Sequence, residues 1–168
     1  MRKEIMIGAM LLMPVIAAAA DFTPLAVKPG LWEATVTTQM QLPDAMLANL
    51  PPERRAQMQA MMAGRMGQPN VVKSCLTKDS LSKALNFGAT GEKRNCQFNL
   101  VTSSATKQQA DIECTSDRGK VTGSMTFEAL TSESGRVTMR MSQDNGTKMD
   151  ITVNTRYLSP DCGDVKPR

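Results

Sequence analysis

The side chains able to do chemistry in this chain are sulfur groups and carboxylates, because the sequence contains no histidine. That absence removes imidazole bases and imidazole metal ligands together. The four cysteines are Cys75, Cys96, Cys114 and Cys162, and no two form a Cys-x-x-Cys pair. Without that spacing and without His, neither a zinc site nor a redox-active dithiol is expected. A Ser or Cys nucleophile would lack its base. Carboxylates remain. Asp111 and Glu113 alternate onto one strand face near Gln97 and Asn99, and Glu33 stands beside Trp32. Two acids serve a small hydrolase or lyase when burial separates their protonation states. A solvated outer strand face explains the same spacing without chemistry. The sequence has no Gly-rich phosphate loop and no metal-spaced acidic cluster. Asn145-Gly146-Thr147 matches a glycosylation acceptor, but a turn explains it without a sugar.

Methionine is the unusual entry, with fourteen in 168 residues against 4% aromatics. Met58, Met61, Met62 and Met66 recur at spacings of three and four, which makes one stripe on a helix. Met40, Met125, Met139, Met141 and Met149 fall on the inward positions of alternating strands. Met is flexible and polarizable, so such a surface fills a core or repacks around varied apolar guests. The functional expectation is a non-enzymatic binding or interaction module with a Met-lined pocket or groove. Its lining would be Met58, Met61, Met62, Met66, Met125, Met139, Met141, Met149 and Trp32. A lipid, another apolar small molecule or a client peptide would be its partner. The alternatives are the carboxylate hydrolase or lyase and Cu(I) binding by thioethers, which are adequate soft ligands if three converge. No cofactor, catalytic residue or metal ligand is assigned, and the oligomeric state is not legible.

The N-terminus places these residues outside the cytoplasm. Arg2 and Lys3 precede an apolar run from Ile5 to Ala20, which ends Ala18-Ala19-Ala20 before Asp21. This is the pattern of a secretory signal peptide, with cleavage expected after Ala20. The run is shorter than the roughly 20 residues of a spanning helix and contains Pro14. No Cys stands at the cut, so no lipid anchor is expected there. Residues 1–20 are thus a leader, and 21–168 form a single disulfide-bonded, β-rich domain, expected in the periplasm. The net charge of +4 falls to +3 once Arg2, Lys3 and Glu4 are removed. Such a small charge among interspersed acids does not predict a nucleic-acid partner. No later segment is long and apolar enough to span a bilayer.

Strands must position the sulfurs. Lys28-Pro29-Gly30 launches a strand in which Trp32, Ala34, Val36, Thr38, Met40 and Leu42 face one way. Asp44 caps a short helical turn. Pro52 and Glu53 open a Met-rich helix, which Gly64 and Gly67 stop. Val71 to Leu76 is a short strand, and Thr77 caps a helix through Leu85. The remainder is strand and turn. Alternating segments cover 96–100, 110–114, 121–129, 137–141 and 149–157. At Asp144-Asn145-Gly146, a three-residue loop with left-handed Gly146 sets Met141 against Met149 and Met139 against Ile151. A two-residue turn would oppose Met141 to Asp150. The expected fold is mostly β (α+β). It is a strongly curved antiparallel meander of about seven strands, with one or two short helices packed on or over it.

An even cysteine count in an exported chain reads as two disulfides. A hairpin centred on Ala105 opposes Leu100 to Ala110, Phe98 to Ile112 and Cys96 to Cys114. Directly opposed Cβ atoms lie about 4.5–5.5 Å apart, close enough to bridge. Cys96–Cys114 is therefore the first pair, and Cys75–Cys162 follows by elimination.

Four segments together resemble a family of Gram-negative periplasmic proteins known as a domain of unknown function. They are Pro29-Gly30-Leu31-Trp32-Glu33, the Met-rich stretch from Leu50-Pro51-Pro52-Glu53 to Gly67, Cys75-Leu76-Thr77, and Arg156-Tyr157-Leu158 before Cys162. The resemblance implies the location and a disulfide-bonded architecture, and it carries over no catalytic residue.

Overall fold

The computed structural model describes residues 22–82, 95–116 and 119–167. The expected leader 1–20 lies outside the described residues. So do the end of the Thr77-capped helix and the loop that follows it. The protein is mostly β, and its described residues form an open antiparallel sheet of seven strands and three short helices. In chain order these are β1 (Gly30–Gln41), α1 (Asp44–Ala48), α2 (Pro52–Arg65), β2 (Asn70–Leu76), α3 (Lys78–Ser82), β3 (Asn95–Ser103), β4 (Lys107–Ser116), β5 (Gly119–Thr131), β6 (Ser134–Gln143) and β7 (Lys148–Ser159). The strand order is β2-β1-β7-β6-β5-β4-β3. Five consecutive strands form a meander, and the first strand docks beside the last.

Register follows the alternation of apolar side chains. Met40 lies opposite Met149, Met149 opposite Met141, Met141 opposite Gly123, Gly123 opposite Ile112, and Ile112 opposite Phe98. The adjoining row runs Thr38, Ile151, Met139, Met125, Ala110 and Leu100. A slip of one residue in any pair would turn its apolar set to the other face. That other face is polar. One of its rows is Thr37, Thr152, Thr138, Thr126 and Gln109, mostly β-branched residues that suit an extended backbone.

The turns agree with this register. Gln143 N–H donates to Thr147 O at 2.9 Å, enclosing a three-residue loop in which Gly146 has φ +86°. Met141 meets Met149, and Met139 meets Ile151. The β3–β4 hairpin pairs Cys96 with Cys114, Phe98 with Ile112 and Leu100 with Ala110. Past Leu100 the register shifts by one, and Val101 is skipped. The reason is parity. Ser104 N–H closes on Lys107 O at 2.8 Å around a two-residue turn, and that geometry is one residue out of step with the apolar pairing. A bulge reconciles the two.

The core lies on β4 and β5, where Ile112, Met125 and Phe127 are buried; Met125 is only 1% exposed. Burying such a side chain stabilises by about 1.5–3 kcal/mol. Leu25, Phe98, Cys114, Val137 and Met139 pack around this cluster. Leu25 comes from the segment before β1, which runs across the hairpin ends. Its Ala26 N–H donates to Ala105 O (2.7 Å), and its Lys28 N–H donates to Ser132 O (2.9 Å). Gln108, 2% exposed, donates from Nε2 to Thr23 O, so its buried amide is satisfied by the same segment.

Two disulfides tie the sheet. Cys96–Cys114 joins neighbouring strands with Cα atoms 4.0 Å apart. Cys75–Cys162 joins β2 to the C-terminal segment with Cα atoms 5.5 Å apart, and Cys75 also bridges Pro167. The enclosed separations are 18 and 87 residues. Chain entropy alone then contributes roughly 3.2 and 4.6 kcal/mol. Replacing both cysteines of the longer bridge by Ser is expected to lower stability in urea more than replacing both of the shorter one. The reverse order of midpoints would count against the entropic account.

Gly123 marks a close approach. A Cβ there would collide with the Arg140 carbonyl oxygen and stand 3.0 Å from Met141 Cα. Neither is a flexible side-chain end, so β5 and β6 would have to move apart. Gly123→Ala is expected to destabilise by about 1–3 kcal/mol in denaturant titration. An unchanged midpoint would show that the pair tolerates the methyl group.

Candidate functional site

The start of β1 and the end of β7 build a cluster of connected side chains. Trp32 is 2% exposed and lies against Tyr157, ring centroids 5.7 Å apart at 73°. This edge-on geometry suits the ring quadrupoles. The indole Nε1–H donates to Lys28 O at 2.9 Å, which satisfies its one polar atom. Lys28 Nζ sits 5.6 Å from the Tyr157 ring centroid and pairs with Glu133. Glu33 accepts from Arg156 Nε at 2.8 Å. Gly30 has φ +138°, and a Cβ there would strike Ser159 O. Two sequence segments far apart in the chain, around Trp32 and around Tyr157, thus form one corner. Only their shared register, Trp32 opposite Tyr157 and Glu33 opposite Arg156, reveals it. These groups are mutually satisfied, and Trp32 itself is consumed by packing.

The candidate methionines divide into two groups, on the sheet and on or just after α2, with Met46 on α1 outside both. Met125 is in the core. Met40, Met139, Met141 and Met149 are half-buried on the apolar face, within adjoining rows. Met58, Met62 and Met66 are half-buried on or just after α2, and Met61 is 55% exposed. None of the described α2 side chains is buried. The helix is held chiefly through its ends. Arg55 donates from Nε to Leu47 O (3.1 Å) and from a terminal nitrogen to Leu50 O (3.4 Å), capping carbonyls around the end of α1. After the helix, Gly67 N–H donates to Thr38 O at 3.0 Å. The helical stripe is therefore next to the sheet in chain connectivity but is not buried in its core.

The carboxylates are arranged differently from an acid–base pair. Asp111 and Glu113 are both exposed, and Glu113 pairs with Lys120 at 2.7 Å. Glu33, the other candidate acid, is engaged by Arg156. No described Asp or Glu is buried. Asn145 uses its Oδ1 to accept Thr147 N–H at 2.9 Å, so the sequon forms a turn. Among the described residues no cluster of His, Cys, Asp or Glu could hold a metal ion. An open depression of about 320 Å³ lies between β5, β6 and β7, lined by Thr122, Ser124, Arg140, Ser142, Lys148 and Asp150 with Gly123 and Met141. Sequence reasoning did not single it out, because its residues come from three strands and form no motif.

One shift in proton affinity stands out at the Trp32 corner. Glu133 accepts a hydrogen bond from the Lys28 ammonium and attracts it, holding the lysine above its ordinary value of 10.5. The folded state therefore favours protonated Lys28. Its contribution is complete below the ordinary lysine range and disappears as pH rises through the higher folded value. The pair is exposed, so the effect is small. Glu133→Gln is expected to melt slightly below the native protein at neutral pH, with the two melting temperatures converging at alkaline pH. A gap that persists there would assign the loss to another cause.

A family model described as a protein of unknown function, DUF3617, matches residues 27–162. No curated protein and no solved structure gives a significant match. No helix among the described residues is long and apolar enough to cross a membrane. The matched span begins just before the Trp32 corner and ends at the cysteine that anchors β2, so it takes in all seven strands and both disulfides. The chain belongs to the DUF3617 family of proteins of unknown function.

Proposed function

We propose that this is an exported protein of the periplasm that acts as a non-enzymatic binding module, with the acyl chain of a lipid as its guest. In this reading the sheet curves around that guest and α2 serves as its cover. The observation that carries the reading is the state of the methionines. Met40, Met139, Met141 and Met149 line adjoining rows of one face and remain half-buried, while α2 offers a second apolar stripe outside the core. Met side chains adapt their shape at little cost, which suits a guest of variable length. Two disulfides support an oxidising compartment. Another apolar small molecule or a client peptide would use the same surface.

The experiment is displacement of a fluorescent fatty acid from protein recovered from a periplasmic fraction, with intact mass showing the loss of residues 1–20. Saturable binding displaced by phospholipid is expected. Met139→Asp with Met141→Asp should abolish it, provided circular dichroism shows the sheet retained. Absence of binding by the native protein would overturn the reading.

A further inference from the structure

We propose that the face of α2 carrying Met58, Met61 and Met62 is a binding site for a soft monovalent cation, Cu(I) or its analogue Ag(I). The first observation is what the helix is made of. Apart from Pro52 in its first turn, every apolar side chain larger than Ala on α2 is a methionine. Leu has equal helix propensity and the same apolar character, so neither helix formation nor hydrophobicity selects sulfur at all of these positions. The sheet, by contrast, mixes Met with Val, Ile, Leu and Phe.

The second observation is that burial does not explain the stripe. An amphipathic helix normally gains its stability by packing its apolar face into the core. Here Met61 is 55% exposed and Met58 and Met62 are only half-buried, while the core sits on β4 and β5. These thioethers therefore remain accessible to an ion.

The third is geometry. Positions i, i+3 and i+4 lie on one helix face with Cβ atoms about 5–6 Å apart. Met has enough rotatable bonds for three sulfurs on such a face to turn toward one point. Thioethers select Cu(I) over harder ions. No thiolate or imidazole competes within the chain, since it has no histidine and all four cysteines are in disulfides, so the rival soft donors are the other methionines. One turn before Met58 stand Arg54, which is exposed to solvent, and Arg55, which is committed to the carbonyls around the end of α1. A thioether has no proton to release, so binding is independent of pH across roughly pH 5 to 8, unlike a Cys or His site.

The test is an anaerobic Cu(I) titration of the disulfide-bonded protein against bicinchoninate, a coloured Cu(I) chelator. The native protein is expected to withdraw one equivalent of Cu(I), equally at both ends of that pH range. The triple variant Met58→Leu, Met61→Leu, Met62→Leu keeps the helix and its apolar stripe but lacks the sulfurs, and should lose about tenfold or more in affinity. The variant Met139→Leu, Met141→Leu, Met149→Leu should bind as the native protein does. No withdrawal by the native protein, equal withdrawal by the α2 variant, or loss only in the sheet variant would each overturn the assignment. The α2 variant should still bind a fluorescent fatty acid, because Leu preserves apolar contact. Failure of the metal site and failure of lipid binding are thereby separate results.

Discussion

The ladder between β1 and β7 is the interaction on which the rest of the architecture depends. The meander from β3 to β7 is built from hairpins, each local in sequence. β1 is different, because its partner β7 is the last strand of the chain and every other strand lies between them in sequence. Its pairing runs from Leu31 opposite Ser159 to Gln41 opposite Lys148. Among the described strands β2 pairs with β1 alone, α1 and α2 hang from the connection between those two strands, and the Cys75–Cys162 bridge ties β2 to the C-terminal segment at the same end. Such non-local pairing is slow to form, because the loop entropy is lost before the contacts are gained. The Trp32–Tyr157 contact and the Glu33–Arg156 pair concentrate side-chain interactions at one end of that ladder.

A sheet with one apolar and one polar face must cover the apolar one. The segment before β1 covers part of it, delivering Leu25 to the core and satisfying the Gln108 amide. The β1–β7–β6 end of the row through Met40, Met149 and Met141 is less completely covered than its Ile112 end. The same chain therefore holds a packed centre around Met125 and a softer margin of half-buried sulfur. Rigid packing where the disulfide hairpin and the strap converge, and adaptable packing beyond it, is a physical basis for separating stability from recognition.

Strand positions, hairpin registers and the cysteine pairs were legible because they rest on period-two alternation. A strand with one buried face rejects every one-residue slip, so Cys96 meets Cys114 once Phe98 is set against Ile112 and Leu100 against Ala110. The shift past Leu100 was not legible. It arises from a conflict between the two-residue turn at Ala105-Thr106 and the face parity, and either half alone reads as regular. The candidate methionines were legible as two stripes, but their exposure was not. Periodicity says which side chains share a face and nothing about what lies against that face.

What the sequence determined by itself was the local geometry: alternation for the strands, Pro52 and Glu53 for the start of α2, Gly146 for its loop, and the absence of histidine for the chemistry excluded. Each depends on neighbours within a few residues, where backbone sterics and side-chain period act directly. Only the tertiary structure decided that β1 lies beside β7, that Gly123 must lack a Cβ because Arg140 O occupies its place, and that the α2 methionines stay outside the core. Those outcomes depend on which surfaces meet across long stretches of chain, and burial is a property of the assembled molecule that no single segment carries.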